Sequence, residues 1–241
     1  IKTHSIRFGE SLIAILDQYI SRLNPKDIIA ITSKVVSICQ GRVVPKDSVQ
    51  SKYALIKREA DAYLKENQSL YNAHLTIKNN ILIPSAGIDE SNGDGMYILY
   101  PQNCQETARL IWEHLRKKHN VAHLGVVITD SHTTPLRKGV TGIALGWCGF
   151  EPLYSYIGEP DIFNVPLQVT QINILDALAT AAVFMMGEGS EQTPMALIKE
   201  VPKVQFLDRP PLEQEEKMIH IPLEEDIYAP VLKSVEWIRK I

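Results

Sequence analysis

The sequence predicts a fold that mixes α-helices and β-strands, of the α/β or α+β class. Short continuous apolar runs, which are typical of buried strands, alternate with segments whose apolar residues recur at helical spacing. The chain has 241 residues, of which 45% are hydrophobic and 22% are charged, a composition typical of a globular protein. No internal repeat or low-complexity tract is present, and these patterns leave the topology of the sheet open.

Four elements are predicted in the first third of the chain. In order they are a helix over residues 10–23, a buried strand over 27–36, a charged helix over 52–67 and a hairpin over 74–83. The first helix has apolar residues at helical spacing and ends at Pro25, because proline does not continue a helix. The hairpin turns at Asn79-Asn80.

The rest of the chain continues the mixture of helices and strands. The predicted elements are a helix after Asn103 that runs to Lys118, a covered strand over 123–129, a helix over 173–186, a connector over 202–211 and a short helix over 231–240. Asn103 and Glu106 have the spacing of a capping box. Gly187 supplies the left-handed stop that helices commonly need, and Pro230 is tolerated in a first helical turn.

Charge and cysteine content exclude several classes of protein. The 25 Lys and Arg residues and 28 Asp and Glu residues give a formal charge of −3, so no overall basic field attracts nucleic acid or anionic lipid. The longest apolar stretch, residues 174–186, is too short to span a bilayer. Three widely spaced cysteines suit a reducing compartment. We therefore expect a cytoplasmic protein with no nucleic-acid or membrane partner.

The first segment with chemical potential is residues 85–95, where acids, a hydroxyl, an amide and glycines follow an apolar strand. Asp89 suits a hard cation such as Mg²⁺, which takes one or two carboxylates together with phosphate oxygens and waters. The alternative is an Asx-turn, in which Asp89 and Asn92 bind only their own backbone.

The second segment begins at Asp130-Ser131, where the strand over 123–129 runs out. Polar residues at the carboxyl ends of buried strands are where open α/β sheets bind ligands, so both side chains are candidate metal ligands. Arg137 follows on a loop, and its guanidinium is suited to binding a phosphate or carboxylate. The alternative is a helix cap followed by solvated bases.

The third segment is residues 186–194, in which Glu188 lies between Gly187 and Gly189. Glycines bring backbone N–H groups close to a ligand, although a helix terminator alone explains Gly187. No P-loop motif and no strand-borne GxGxxG is present, and neither GxSxG nor HExxH occurs. Together the three segments are typical of a site that holds a nucleotide polyphosphate through divalent metals.

Several short motifs resemble one known family. AGIDESN (86–92), VVITDS (126–131) with PLRKG (135–139), ALGWCGF (144–150), IGEPDIF (157–163) and MMGEGSEQTP (185–194) occur in the order and approximate spacing of the coenzyme F420-0:γ-glutamyl ligase family. The resemblance covers residues 1–207, which are identified as the catalytic domain. Residues 208–241 are then a C-terminal tail and helix that pack on it.

The resemblance implies an amide-bond-forming ligase of α+β (mixed α/β) fold that forms an intertwined homodimer. It implies GTP or ATP as co-substrate, L-glutamate, a small cofactor-like acceptor, and two Mg²⁺ or Mn²⁺ ions in each site. Asp89 and Asp130 correspond to ligands of one metal, and Ser131 and Glu188 to ligands of the other. The positions that correspond to nucleotide-binding residues are Ser33, Lys34, Asn92, Met186, Gly187, Gly189, Ser190, Gln192 and Thr193.

The implied mechanism has two steps. The carboxylate of the acceptor attacks the γ-phosphorus to give an acyl phosphate, with the metals bridging the phosphates. The amine of glutamate then displaces phosphate through a tetrahedral intermediate, which a cation such as Arg137 stabilises. Asp130 and Arg137 are therefore the candidate catalytic residues.

Departures from the family pattern leave the acceptor open. Family members commonly read DTxGRPWRxG, whereas Thr134 and Leu136 stand here in place of the first arginine and the tryptophan. Ile38 replaces a lysine that is usual in the nucleotide site. The alternative acceptors are the deazaflavin coenzyme and a folate or dihydropteroate molecule. The alternatives to a ligase are a metal-dependent phosphohydrolase and an inert nucleotide-binding dimer.

Overall fold

The computed structural model describes residues 1–65 and 73–239, and it confirms the mixture of helices and strands. The strands in these residues are β1 (Ile28–Thr32), β2 (Val43–Pro45), β3 (Ala62–Leu64), β4 (Leu75–Lys78), β5 (Ile81–Pro84), β6 (Met96–Ile98), β7 (Gly125–Thr133), β8 (Val140–Cys148), β9 (Leu153–Ser155), β10 (Gln171–Asn173), β11 (Met195–Ile198) and β12 (Trp237–Arg239). The helices are α1 (Leu12–Tyr19), α2 (Ser33–Cys39), α3 (Lys52–Glu59), α4 (Cys104–His119), α5 (Ile174–Met186), α6 (Glu213–Glu216) and α7 (Ala229–Leu232).

A four-stranded sheet in the order β11-β1-β7-β8 organises the core. β1 and β7 are parallel, and the two outer strands run antiparallel to their neighbours. Because β1 and β7 are covered on both faces, they are continuous apolar runs. One face, with Ile29 and Ile128, packs against α1 and α4, and the other, with Ala30 and Val127, packs against α5.

A second four-stranded sheet, in the order β12-β3-β4-β5, and two two-stranded ribbons, β2-β6 and β9-β10, complete the fold. A smaller apolar cluster beneath α3 includes Leu55, Ile88 and Leu99. Asp89 follows this cluster directly and forms a bridge with Ile98. The second sheet and its cluster therefore fix the turn that carries Asp89.

Several predicted elements are confirmed. α4, β7 and α5 cover the predicted helix, strand and helix, and the hairpin β4-β5 turns at Asn79 and Asn80, whose φ values are 47° and 60°. Left-handed φ at both central positions is the geometry of a two-residue hairpin turn. Gly187 ends α5 as predicted, although its φ of 79° and ψ of 172° lie outside the left-handed helical region. No helix in the described residues is long and apolar enough to cross a membrane.

The structure corrects the prediction at the N-terminal elements. α1 covers only Leu12–Tyr19 of the predicted helix over residues 10–23. The predicted strand over 27–36 ends at Thr32, and α2 begins at Ser33. Val35 and Val36 are buried in this helix, because core packing outweighs the modest strand preference of β-branched residues. The predicted helix over 52–67 ends at Glu59, and residues 66 and 67 lie outside the described residues.

Two further predictions, a capping box at Asn103 and a helix near the C-terminus, are wrong. Asn103 has φ 48° and its side chain makes no cap hydrogen bond, while Glu106 forms an ion pair with Arg109, so the predicted capping box is absent. The predicted helix over 231–240 is replaced by the end of α7 and by β12, which pairs with β3. Residues 237–239 form a strand despite their helical pattern, because pairing with the edge of β3 satisfies their backbone hydrogen-bonding groups.

The tail after residue 207 contacts the body of the protein through Arg116, which donates to the carbonyl of Asp208, and through the β12-β3 pairing. Within the tail, the Arg209 guanidinium donates to both carboxylate oxygens of Glu215, at 2.7 and 2.6 Å. The hydrogen bonds from Arg209 hold the pKa of Glu215 down at about 2. The division after residue 207 stays a prediction.

Replacement of Glu215 by glutamine should lower the free energy of unfolding by about 1 kcal/mol at pH 7, because a bidentate ion pair is lost. Since the pKa of Glu215 is lowered on folding, this stabilisation is complete above its ordinary value and is lost as the pH falls toward about 2. Urea unfolding at pH 7 and at pH 3 measures the difference, which should shrink at the lower pH. Glu213→Gln, which removes a more exposed pair with Lys217, is the control. A difference independent of pH would contradict this assignment.

Candidate active site

An open cleft of about 590 Å³ lies at the carboxyl end of the parallel strands β1 and β7. Parallel pairing ends where Thr32 lies opposite Thr129, so Ser33 and Asp130 are the first residues beyond it. Residues 3–7, the start of α2, residues 89–94, the outer half of β7 and residues 186–194 supply the walls. The carboxyl edge of strands is the position where α/β sheets bind ligands.

Asp130 lies within a strand, which corrects the prediction that the strand ends before it and excludes the helix cap considered as its alternative. Two donors bind the Asp130 carboxylate. The side chain of Ser33 donates one hydrogen bond, and the backbone N–H of Ser131 donates the other to Oδ1 at 2.9 Å. Burial, reinforced by the charge of Asp89, raises the pKa of Asp130 to about 7. A nearby cation would therefore strongly favour its ionised form.

Asp89 accepts hydrogen bonds on both oxygens. The backbone and hydroxyl of Ser91 donate to Oδ1 at 2.7 and 2.8 Å, which confirms an Asx-type turn. Lys34 Nζ lies 2.7 Å from Oδ2. Burial alone would raise the pKa of Asp89, but the hydrogen bond and charge of Lys34, with the two donors of Ser91, hold it below its ordinary value. Asp89 is thus part of a turn and also faces the cleft.

Glu188 follows the Gly187 stop of α5 and faces the same cleft. The Ser131 hydroxyl donates a hydrogen bond to its carboxylate, and burial together with the charge of Asp89 raises the pKa of Glu188 despite the opposing charge of Lys34. Asn92 Nδ2 donates to the carbonyl of Gly189 at 3.0 Å, which joins the Asp89 turn to this loop. Gly187 is therefore both a helix terminator and a part of the site.

The structure brings together nearly all the residues singled out from the sequence. The predicted residues that line the cleft are Lys34, Asp89, Asn92, Asp130, Ser131, Met186, Gly187, Glu188, Gly189, Ser190, Gln192 and Thr193. Ser33 joins them through its hydrogen bond to Asp130. Arg137 lies outside the cleft, on the exposed connection between β7 and β8, so its catalytic role stays a prediction.

Sequence reasoning missed one contributor to the cleft. Residues 3–7 form one wall, where Thr3 N donates to the carbonyl of Gln192 at 2.8 Å and Gln192 Nε2 donates to Ser5 Oγ at 2.8 Å. No local signal could reveal these contacts, because almost the whole chain separates the partners. Ser91 is the hydroxyl residue of the first predicted segment, and its position two residues after Asp89 is the spacing of the Asx-turn that the structure contains.

The donor set of the cleft fits a hard divalent cation, because Asp89, Asp130, Ser131 and Glu188 all present oxygen. The negative charge of Asp89 raises the pKa of both other carboxylates, so an added positive charge would stabilise the ionised site. Among the described residues, no three His, Cys, Asp or Glu side chains form a ready-made metal cage. Such a cation would complete its shell with phosphate and water oxygens, as Mg²⁺ commonly does.

The comparison with protein families decides the classification. The model of the family described as F420-0:Gamma-glutamyl ligase matches residues 1–200. The chain belongs to this family. The match confirms the resemblance found in the motifs. The matched region ends at residue 200, shortly after β11.

Several curated relatives of this member of the F420-0:γ-glutamyl ligase family carry the name coenzyme F420:L-glutamate ligase. The chain is 29% identical to the protein of Methanopyrus kandleri over 209 residues, which cover 80% of this chain and 82% of the relative. It is 33% identical to the protein of Methanocaldococcus jannaschii over 190 residues, which cover 72% of this chain and 75% of the relative. It is 31% identical to the protein of Methanosarcina barkeri over 208 residues, which cover 80% of this chain and 81% of the relative.

Proposed function

We propose that the protein is a γ-glutamyl ligase that joins L-glutamate to a carboxylate of a coenzyme F420-type acceptor at the expense of GTP or ATP. The observation that carries this proposal is that Asp89, Asp130 and Glu188 line one cleft with Lys34, which is ion-paired to Asp89, at the carboxyl edge of the parallel strands. Family membership supports glutamate ligation, and the oxygen-rich cleft supports a polyphosphate substrate.

Asp89 and Asp130 would hold one Mg²⁺ or Mn²⁺ ion, and Ser131 and Glu188 would hold the other. Such ions supply positive charge that offsets the charge of the nucleotide phosphates during transfer. Ser33 and the backbone N–H of Ser131 orient the Asp130 carboxylate through their hydrogen bonds. The hydrogen bond from Asn92 to Gly189 holds the loop over residues 186–193 against the Asp89 turn, and both segments line the cleft in which the nucleotide would bind.

In the proposed reaction, an acceptor carboxylate oxygen attacks the γ-phosphorus, and the nucleoside diphosphate leaves. The glutamate amine then attacks the acyl carbon and gives a proton to solvent, the bond between that carbon and the phosphate oxygen breaks, and inorganic phosphate leaves. The cleft residues contribute mainly by holding three substrates in one orientation, which converts an encounter of separate molecules into a reaction within one complex.

A homodimer is part of the proposal, and two exposed apolar surfaces support it. The connection between β9 and β10 exposes Ile162 and Val169 to 90% and 83%, and α5 exposes Phe184 and Met185 to 83% and 72%. Monomeric proteins rarely leave such surfaces uncovered. Light scattering after gel filtration should give twice the chain mass, whereas a monomeric mass would contradict this part of the proposal.

The decisive experiment incubates the protein with glutamate, GTP or ATP, and one of two acceptors, and reads product masses. We expect nucleoside diphosphate release that depends on both glutamate and the F420-type acceptor, with a product heavier by one or more glutamate residues. Because Thr134 and Leu136 depart from the family pattern, dihydropteroate is the second acceptor. A product from dihydropteroate alone would favour the folate reaction instead.

Two other outcomes would contradict a ligase. Phosphate release without glutamate would indicate a phosphohydrolase. If millimolar Mg²⁺ with GTP or ATP gives neither turnover nor a rise in the melting temperature, the protein binds no nucleotide and is inert, since any ligand of the folded state must stabilise it. The cytoplasmic location expected from the cysteine content stays a prediction.

A further inference from the structure

The ammonium of Lys34 has all three of its N–H donors engaged at one edge of the cleft. Nζ lies 2.7 Å from Asp89 Oδ2, 3.0 Å from Ser91 Oγ and 3.2 Å from the carbonyl oxygen of Ser91. An ammonium has three donors and no acceptor, so these contacts complete its hydrogen bonding. The side chains of Lys34 and Asp89 are 24% and 41% exposed, so solvent shields this ion pair only in part.

Lys34 is also the common countercharge of the acidic site. Its positive charge stabilises the ionised forms of Asp130 and Glu188 as well as that of Asp89. These are the carboxylates that the proposed function assigns to the two metals. The lysine therefore supplies some of the electrostatic stabilisation that a divalent cation would supply.

The geometry at Asp89 restricts how a cation can enter. Oδ1 already accepts two hydrogen bonds from Ser91, and Oδ2 accepts the ion pair from Lys34. A cation ligated by Asp89 must come within about 2.1–2.6 Å of one of these oxygens. At Oδ2 it would lie only a few ångströms from the ammonium, where partial burial weakens the screening of like charges.

We propose that Lys34 and a divalent cation compete for Asp89, and that the displaced lysine then binds the phosphate oxygens of the nucleotide. Lys34 is the second residue of α2 and lies on the wall of the cleft, and its flexible four-carbon chain can reorient without moving the helix. This inference rests on the proposed function, because it needs a metal and a nucleotide in this cleft.

The competition makes metal and nucleotide binding interdependent. Without nucleotide, a metal at Asp89 must displace an ion pair, which weakens its binding. With nucleotide present, the displaced ammonium gains new anionic partners, so binding of the metal becomes tighter. By linkage, the metal then strengthens nucleotide binding by the same factor.

The test measures binding rather than turnover. Mn²⁺ is titrated into the full chain without nucleotide and followed by the electron paramagnetic resonance signal of free Mn²⁺, for the wild type and Lys34→Met. We expect Lys34→Met to bind Mn²⁺ about tenfold more tightly, which corresponds to about 1.4 kcal/mol. At saturating Mn²⁺, the same variant should bind a non-hydrolysable GTP or ATP analogue about tenfold more weakly.

Two controls isolate the competition. Lys138→Met removes an exposed lysine outside the cleft and should change neither affinity. In an Asp89→Asn background, Lys34→Met should no longer tighten Mn²⁺ binding, because the shared carboxylate is gone. Circular dichroism shows that each variant is folded.

The outcomes separate this inference from the proposed function. Unchanged or weaker Mn²⁺ binding by folded Lys34→Met overturns the competition, whether or not the protein is a ligase. Tighter Mn²⁺ binding with unchanged nucleotide affinity overturns the transfer of the lysine to the phosphates. Failure of the wild type to bind Mn²⁺, even with the nucleotide analogue, overturns both the competition and the metal site of the proposed function.

Discussion

Asp130→Asn should lower glutamate-dependent nucleotide hydrolysis by about a thousandfold. Asparagine keeps the size of the side chain and an oxygen that accepts the hydrogen bonds from Ser33 and Ser131, so the local structure is retained. It removes the negative charge through which Asp130 would hold a metal, and a metal contributes several kcal/mol to stabilising charge in the transition state. Steady-state assay of nucleoside diphosphate release measures the loss.

Asp47→Asn is the matched control, because Asp47 is an exposed carboxylate in a short turn outside the cleft. It should leave the rate unchanged. Wild-type turnover by Asp130→Asn would remove Asp130 from the mechanism, and with it the assignment of the metal that it shares with Asp89. Loss of activity accompanied by unfolding would instead show that the residue is structural.

Gly142→Ala should lower the free energy of unfolding by about 3 kcal/mol, or the melting temperature by about 6–12 °C. Gly142 lies on β8 opposite Ser131, and a Cβ there would meet the carbonyl of Ala179 in α5. Backbone atoms cannot move aside as a flexible side chain can, so the helix must shift away from the sheet. Thermal unfolding followed by circular dichroism measures the effect.

The same substitution should reduce activity, because α5 ends at the loop that carries Glu188. Gly139→Ala is the control. Its φ of 88° disfavours alanine, but no atom lies within 4 Å of the new Cβ, so about 1 kcal/mol of backbone strain is expected. Equal losses of stability in the two variants would contradict the close approach of α5 to β8 at Gly142.

The acidic residues of the site were predictable because each carries its own local signal. Asp89 lies in a glycine-rich turn after a strand, Asp130 follows a buried apolar run, and Glu188 stands between glycines after a helix. The family resemblance then placed them in one site. Their meeting depends on the β1-β7 pairing and on the short loop after α5, which no local pattern specifies.

The failed predictions share a different cause, which is competition between local preference and long-range contacts. Val35 and Val36 enter a helix because the core accepts them there, and Trp237 enters a strand because β3 offers an unpaired edge. Similarly, hydrogen bonds that join Thr3 and Ser5 to Gln192 hold the wall formed by residues 3–7 against the loop over residues 186–194. Sequence patterns describe a segment's own preferences, whereas these outcomes depend on partners far along the chain.

The contact between Thr3 and Gln192 has a consequence for biosynthesis. A ribosome adds about 5–20 residues per second, so these two adjoining parts of the cleft wall emerge roughly 10–40 seconds apart. An unfinished chain can pair early strands, but it cannot enclose substrates until the glycine-rich loop has left the exit tunnel. A chain that stops before residue 192 would therefore lack this wall of the proposed nucleotide site.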